Sequence, residues 1–369
     1  MDKTRQNVLI VTSEFPPQPG GIGNHAHHLA KHLQLSQFQV RVISDQRSAF
    51  GEKEQTFDGT LSFKVYRVKK TKVRFMMYLK RIWVLFKHIE SSQLVMASGK
   101  FSLWTVAFAS LFYHKTFVAI VHGTEVNFKT FLLRASIDFA LKRFTKVICV
   151  SNYTKSLIGH LKLQQVEVIP NGIDTSKWQA ASVEPMALPG FPKLVTVGNV
   201  TERKGQLQVI EQLPELLKVF PELHYHCIGI PTERERFLKV AKHLQVDRHI
   251  TFHGAVDDLY LKQLLASSDI FVMLSKPTAT GDVEGFGIAI LEANALGIPS
   301  IGALGCGIED AIKDGESGYL IHHDDPEALK TAIQQILENK NEFSKQAKAW
   351  AQMHDWEIIV ERYVEVIEQ

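Results

Sequence analysis

Cysteine is scarce in this 369-residue chain: Cys149, Cys227 and Cys306 are an odd number with no metal-type spacing, and two sit in apolar strand-like runs. A disulfide-stapled secreted scaffold is excluded, and such thiols suit a reducing cytosol. Long apolar runs are missing too. The longest, Phe101 to Tyr113, falls short of the roughly 18 residues a membrane span needs. The first, Val8 to Val11, is too short for a signal peptide, so the expected location is cytoplasmic. Neither zinc-finger spacing nor an aromatic RNA-binding signature is present, and nucleic acid is not an expected partner.

What is there is ordinary in bulk and uneven in detail. At roughly 150 residues per domain the length predicts two domains, and 45% hydrophobic with 22% charged residues suits sizeable cores. The formal net charge of +3 conceals opposite halves. Residues 1–175 carry 24 Lys and Arg against 11 Asp and Glu, whereas residues 176–369 carry 18 against 28. An N-terminal half this basic is expected to face something anionic.

Short β-branched runs alternate with helical patterns from end to end. The first half offers strands at Val8–Thr12, Gln39–Ser44, Leu94–Ala97, Phe117–Val121, Val147–Val150 and Glu167–Ile169. The second restarts at Leu194–Val197 and continues through His224–Ile228, Ile250–Phe252, Ile270–Leu274, Pro299–Ile301 and Tyr319–Ile321. Near-continuous apolar runs of this length read as buried parallel strands with helical crossovers. The class is therefore α/β: two doubly wound, Rossmann-like domains facing a cleft, spanning 1–175 and 176–355, with Trp178 to Pro192 as linker.

Three stretches could carry chemistry. Pro277 to Gly287 is a glycine-bearing loop running from a strand into the helix Ile288–Leu296, which sets free amides at a helix N-terminus, a ready anion site. Glu284 stands before that helix and Glu292 inside it, on the side of Ile288, Leu291 and Ala295. Either glutamate alone could be structural; the pair beside the glycine loop points to a ligand. A second turn, Gly198 to Gly205, places Arg203 and Lys204 beyond a strand's carboxyl end, where a diphosphate would be their partner. The third, Glu14 to Gly23, holds Gly20 and Gly21 and leads into a helix. Gly21, Gly23 and Ala26 with Asp45 also match a dinucleotide fingerprint, which leaves a nicotinamide-dependent oxidoreductase as an alternative, but eight residues separate the strand from those glycines. His122, at a strand's carboxyl end, is a lone histidine and a weak signal alone.

Together these residues resemble glycosyltransferase family 4, the retaining, nucleotide-sugar-dependent transferases with the GT-B fold. The resemblance rests on the Pro-Pro…Gly-Gly loop, His122-Gly123, Val150-Ser151-Asn152, Val168 to Asp174, Arg203-Lys204-Gly205, Gly254-Ala255-Val256, and Glu284-Gly285-Phe286-Gly287-Ile288 through Glu292-Ala293. The Asp282-Val283-Glu284-Gly285 wording is similar to bacterial phosphatidylinositol mannosyltransferases. The resemblance implies that Glu284 contacts the donor sugar, Glu292 the ribose, and Val256 the nucleobase. It implies that amides around Gly285, Phe286, Gly287 and Ile288 hold the diphosphate with Arg203 and Lys204, that Gly20 and Gly21 allow close approach to it, and that His122 lies near the reacting centre. Asn199 stands where the family often has arginine. No Asp-x-Asp motif occurs, so no metal or other cofactor is expected beyond the nucleotide sugar itself. By the same resemblance the segment from Trp356 (356–369) crosses back onto the first domain. A nucleotide-sugar-binding protein without catalysis is the other alternative.

Residues 69–88 are rich in Lys and Arg. On a helix Phe75, Leu79, Ile82, Phe86 and Ile89 share one side, with Arg74, Lys80, Arg81 and Lys87 on the other. This pattern also fits a core-packed helix with a solvated basic back. The basic half and the family's lipid-linked acceptors favour docking on an anionic membrane surface, as a peripheral protein of the inner face.

Overall fold

The computed structural model describes residues 6–71, 73–179 and 183–368. The chain divides into two compact units: Met1–Gly172 with Trp356–Gln369, and Ile173–Asp355. Each is built on one parallel sheet with helices between its strands, the α/β arrangement expected from the alternation of runs.

In the first unit the strands are β1 (Asn7–Thr12), β2 (Gln39–Gln46), β3 (Lys64–Lys69), β4 (Leu94–Ser98), β5 (Thr116–Val121), β6 (Lys146–Cys149) and β7 (Val166–Val168). They lie in the order β3-β2-β1-β4-β5-β6-β7. The helices are α1 (Gly21–Leu35), α2 (Glu52–Asp58), α3 (Arg74–Ile89), α4 (Lys100–Ala109), α5 (Phe131–Leu141) and α6 (Asn152–Ile158). The central strands are covered on both faces, which is why β4 is buried at every residue and reads as an unbroken apolar run. By contrast, β3 is an edge strand with alternating Lys-Val-Tyr-Arg-Val-Lys and only Val68 fully buried, so it gave no apolar run to find.

The second unit holds β8 (Lys193–Val197), β9 (His224–Ile228), β10 (Ile250–Gly254), β11 (Ile270–Met273), β12 (Ser300–Ala303) and β13 (Gly318–Ile321), ordered β10-β9-β8-β11-β12-β13. Around them pack α7 (Gln206–Leu217), α8 (Arg234–His243), α9 (Asp258–Ala266), α10 (Ile288–Ala295), α11 (Pro326–Glu338) and α12 (Lys340–Gln352). The pattern of strand order around β8 and β11 is that of a doubly wound sheet, where ligands gather beyond the strands' carboxyl ends.

The division between units falls at Gly172, not in the Trp178–Pro192 stretch. The Ile173 amide donates to the His354 carbonyl (2.9 Å) and the Thr175 amide to Asp355 Oδ2 (3.1 Å), which ties residues 173–175 to the second unit. The expected linker instead lies along that unit: Met186 N–H donates to Ser267 Oγ at 2.7 Å and Phe191 N–H to the Glu222 carbonyl at 2.8 Å. The last helix, α13 (Trp356–Glu368), packs into the first unit. Its Trp356 and Tyr363 are buried, Lys146 Nζ donates to the Val366 carbonyl (2.5 Å), and Arg362 Nη2 to the Val168 carbonyl (2.7 Å).

Candidate functional site

In the second unit, two loops at adjacent strands' carboxyl ends bring the charged residues together. After β8 the chain turns through Glu202–Lys204 into α7, and Gly205, at φ +82°, passes so near β11's exit that a Cβ there would lie 2.2 Å from the Leu274 carbonyl carbon. Only glycine fits. The loop from β11 to α10 is held from outside: Gly307 N–H donates to the Glu284 carbonyl at 2.9 Å, and a Cβ on Gly307 would lie 2.0 Å from the Gly285 oxygen. Phe286 is buried beside His354 and anchors the turn, leaving Gly287, Ile288 and Ala289 to lead α10 with amides that a helix cannot satisfy internally.

Four charges meet here. Lys204 Nζ is 2.7 Å from Glu284 Oε2, Arg203 Nη1 bonds the same oxygen, and Arg203 Nε lies 3.1 Å from Asp282 Oδ2. Burial alone would raise the Glu284 pKa, but Lys204 and then Arg203 outweigh it and hold the carboxyl below its usual value. Glu292 behaves oppositely. Burial pushes it up to about 7, with Lys204 pulling down and Asp258 pushing up. On α10 the core face is Ile290, Leu291, Ala293 and Asn294; Glu292 lies half-buried on the other side with Ile288, not on a core stripe as expected. Val256 follows β10, half-buried, just before Asp257 caps α9 by accepting the Tyr260 amide (2.8 Å). Asp282, which entered the sequence analysis only through the Asp282-Val283-Glu284-Gly285 resemblance and with no role of its own, joins the cluster through Arg203.

In the first unit, His122 leaves the carboxyl end of β5 with Nε2 2.9 Å from Ser98 Oγ and its ring edge-on to His25 at 5.0 Å. Burial lowers its pKa to about 4, so it is neutral at physiological pH. His25 Nε2 lies 2.9 Å from the Tyr363 hydroxyl on α13. Glu125 was not singled out, yet its Oε1 accepts the His122 amide at 2.6 Å and burial pushes its carboxyl to about 7. The His-Gly-Thr-Glu spacing was its signal. At the start of α1, a Cβ on Gly21 would meet nothing within 4 Å, whereas one on Gly20 would lie 2.8 Å from Glu14 Oε2.

The basic helix needs correction. Arg81 does not face outward: it is buried, with Nε donating to Asp45 Oδ1 at 2.9 Å and Nη2 bonding Oδ2, and it lies under the Phe101 and Tyr78 rings. The inward face of α3 is Arg81, Leu85 and Ile89, while Phe75, Met76, Leu79 and Trp83 are exposed alongside Lys80 and Lys87. The expected apolar side therefore splits, because a buried ion pair turned the helix. The Arg74 side chain lies outside the described ones. The same pair removes the ribose partner that the nicotinamide alternative requires, since both Asp45 oxygens are engaged by Arg81.

Two family models match this chain: "Glycosyl transferases group 1" over residues 184–353 and "Glycosyltransferase Family 4" over residues 19–177. A GDP-mannose-dependent alpha-(1-6)-phosphatidylinositol monomannoside mannosyltransferase of Mycolicibacterium smegmatis is 26% identical over 357 residues, covering 89% of each chain. A glycogen synthase of Mycobacterium tuberculosis is 24% identical, covering 95% of this chain and 92% of its own. Among solved structures, Anabaena HepE in complex with UDP and glucose superposes with a TM-score of 0.78 at 18% identity, over 99% of this chain and all of that one, so the shared fold is GT-B. With matches across both units and this fold, the chain belongs to glycosyltransferase family 4, as an enzyme that uses a nucleotide-sugar donor.

Proposed function

We propose that this enzyme is a retaining hexosyltransferase that moves a sugar from a UDP- or GDP-linked donor, held by the second unit, to a lipid-linked or glycan acceptor held by the first. The observation carrying this reading is the cluster of Arg203, Lys204 and Glu284 beside the N-terminus of α10. Breaking a sugar–diphosphate bond leaves charge on the departing phosphate. Two cations and a row of fixed amides stabilise that charge without a metal, and fixed donors need no reorganisation when it forms. In the donor-free protein both cations are occupied by Glu284; an arriving diphosphate takes them over and frees the glutamate for the sugar's hydroxyls. Glu292 then accepts from the ribose, Val256 lies against the base, and neutral His122 donates or accepts at the reacting centre.

A thermal-shift panel of GDP, UDP, GDP-mannose and UDP-glucose, followed by a transfer assay in excess EDTA, tests this reading. One nucleotide family should raise Tm and its sugar should be transferred with EDTA present, giving a product of the same anomeric configuration. Absence of any shift, or transfer that stops on chelation, rejects it.

The acceptor side works at an anionic membrane. The outer face of α3 shows Phe75, Leu79 and Trp83 together with Lys80 and Lys87, whose Nζ sits 5.4 Å from the Trp83 ring centre. Aromatic side chains with adjacent cations suit the interface of an anionic bilayer, each cation contributing about 1 kcal/mol. Among the described residues no helix is long and apolar enough to cross a membrane, so the association in this reading is peripheral.

A further inference from the structure

Arg81, once placed inside, raises its own question: what does the rest of its guanidinium do? Nε and Nη2 are committed to Asp45, but Nη1 is buried without a hydrogen-bond partner, and so is Ser44 Oγ on the neighbouring strand. Arg81 is 6% exposed and Ser44 1%. Orphaned donors at such depth are uncommon and mark a place where something polar is missing. Both residues line one narrow cleft of about 240 Å³, much of it open to solvent, with room at its centre for about one water. Asp45 lines it too, and hydroxyl side chains furnish the remaining polar lining: Thr12, Ser13, Ser102 and Thr105.

The register locates this cleft. Thr12 pairs with Ser98 across β1 and β4, and Ser98 pairs with Ile120 two residues before His122. On the other side, Val11 pairs with Ile43, so Ser44, near the carboxyl end of β2, is level with Thr12 and Asp45 lies one residue beyond. His122, Ser98, Thr12 and Ser44 thus run across the carboxyl ends of four consecutive strands, and at about 4.8 Å per strand the cleft is two to three strand spacings from His122.

We propose that this cleft is an acceptor subsite that takes one hydroxyl of a neutral ring polyol, a sugar or a cyclitol, with the hydroxyl oxygen accepting from Arg81 Nη1 and sharing a hydrogen bond with Ser44 Oγ. The charge balance selects the class. Asp45 cancels the guanidinium charge, so the site offers directed donors without net charge, and the space at its centre admits a hydroxyl but not a phosphate. The rings of Phe101 and Tyr78, whose centres are 4.9 and 5.6 Å from the guanidinium carbon, hold the arginine's plane in place. This assignment rests on the reading of the first unit as the acceptor's.

Saturation-transfer NMR with the full chain tests it, using myo-inositol and methyl α-D-mannopyranoside as probes and measuring GDP and UDP binding on the same samples. Ser44→Val fills the centre without touching a charge. The paired change Asp45→Asn with Arg81→Met removes the donor without leaving a buried charge alone, which a single arginine replacement would do. The wild type should transfer saturation to at least one probe. Both variants should weaken that binding by about fivefold or more, the scale of one lost hydrogen bond, while nucleotide binding is unchanged. Undiminished signal in the variants, no signal in the wild type, or displacement of the probe by inorganic phosphate overturns the proposal. Probe binding without nucleotide binding would leave this subsite standing and sink the transferase reading; nucleotide binding without probe binding would do the reverse.

Discussion

Glu292 and Lys204 show how one cation can serve two carboxyls with different tasks. Glu284 is held ionised by Lys204 and Arg203, whereas Glu292 is desolvated enough to titrate at about 7. If Glu292 accepts hydrogen bonds from a ribose, only its ionised form does so well. Donor affinity in the wild type should therefore fall as pH drops from 8 to 6, and the Glu292→Gln variant should bind more weakly at pH 8 and lose that dependence. Calorimetry across this range decides it; a parallel pH slope in the variant is the contrary result. Stability gives the sign from the other side. A carboxyl whose folded pKa lies above its unfolded value costs stability as pH rises from about 4.5 to 7, so the Gln variant's Tm relative to wild type should improve between pH 5 and pH 8. For Lys204→Ala, nucleoside diphosphate binding should weaken more than nucleoside monophosphate binding, by roughly tenfold for one charge-assisted bond. Equal losses for the two ligands would mean general damage to the turn.

At the scale of elements, what was legible followed burial. Strands covered on both faces are continuous apolar runs, and all the strands read from sequence, the less buried edge strand β7 among them, appear in the structure within a residue or two at their ends. The edge strand β3 was invisible because its alternation put Lys64, Arg67 and Lys69 among its apolar residues. The helix α3 was found, but its orientation was not, because a helical wheel assigns arginine to solvent and cannot see Asp45 arriving from β2. Likewise, Arg203, Lys204 and Glu284 were singled out separately, yet their direct pairing depends on two loops 81 residues apart in sequence. The corrected face of α3 changes the membrane test. Reversing Arg81 would strand Asp45 in the interior, a cost of about 3–5 kcal/mol that has nothing to do with lipid. The informative variants are Lys80→Glu with Lys87→Glu, and separately Phe75→Ser with Trp83→Ser. Both should cut sedimentation with phosphatidylglycerol vesicles at least several-fold and leave Tm within a few degrees. The charge variant alone should mimic the effect of high salt. Wild-type sedimentation in both variants would remove α3 from the interface.

At the scale of the whole molecule, the chain's end completes its beginning. Trp356 stacks on His28 at 5.8 Å and lies 5.3 Å from His25, edge-on, so the first unit's core includes residues made last. Trp356→Ala should cost about 3–5 kcal/mol, and a chain stopped at Asp355 should melt well below the full one even with nucleotide present. Both units also bury histidines in the neutral form. Burial lowers His25 far below its usual value and His122 to about 4 in the first unit, and His226 to about 4 in the second, where His226 Nδ1 lies 3.1 Å from His253 Nε2. A histidine whose folded pKa is depressed leaves stability intact above its unfolded value of about 6.5, and stability is lost as pH falls toward the folded value. A shift from 6.5 to about 4 at fully buried His226 corresponds to about 3 kcal/mol by the time pH 4 is reached. Tm should hold steady from pH 8 to 7 and decline steeply between 6.5 and 4.5, reversibly and in both units. His226→Gln, which keeps a hydrogen-bonding side chain but cannot charge, should flatten the decline if the second unit is the first to melt. His122→Gln should do so if the first unit is. A decline equally steep in the two variants and in the double variant would show that carboxylates, not histidines, set the acid limit.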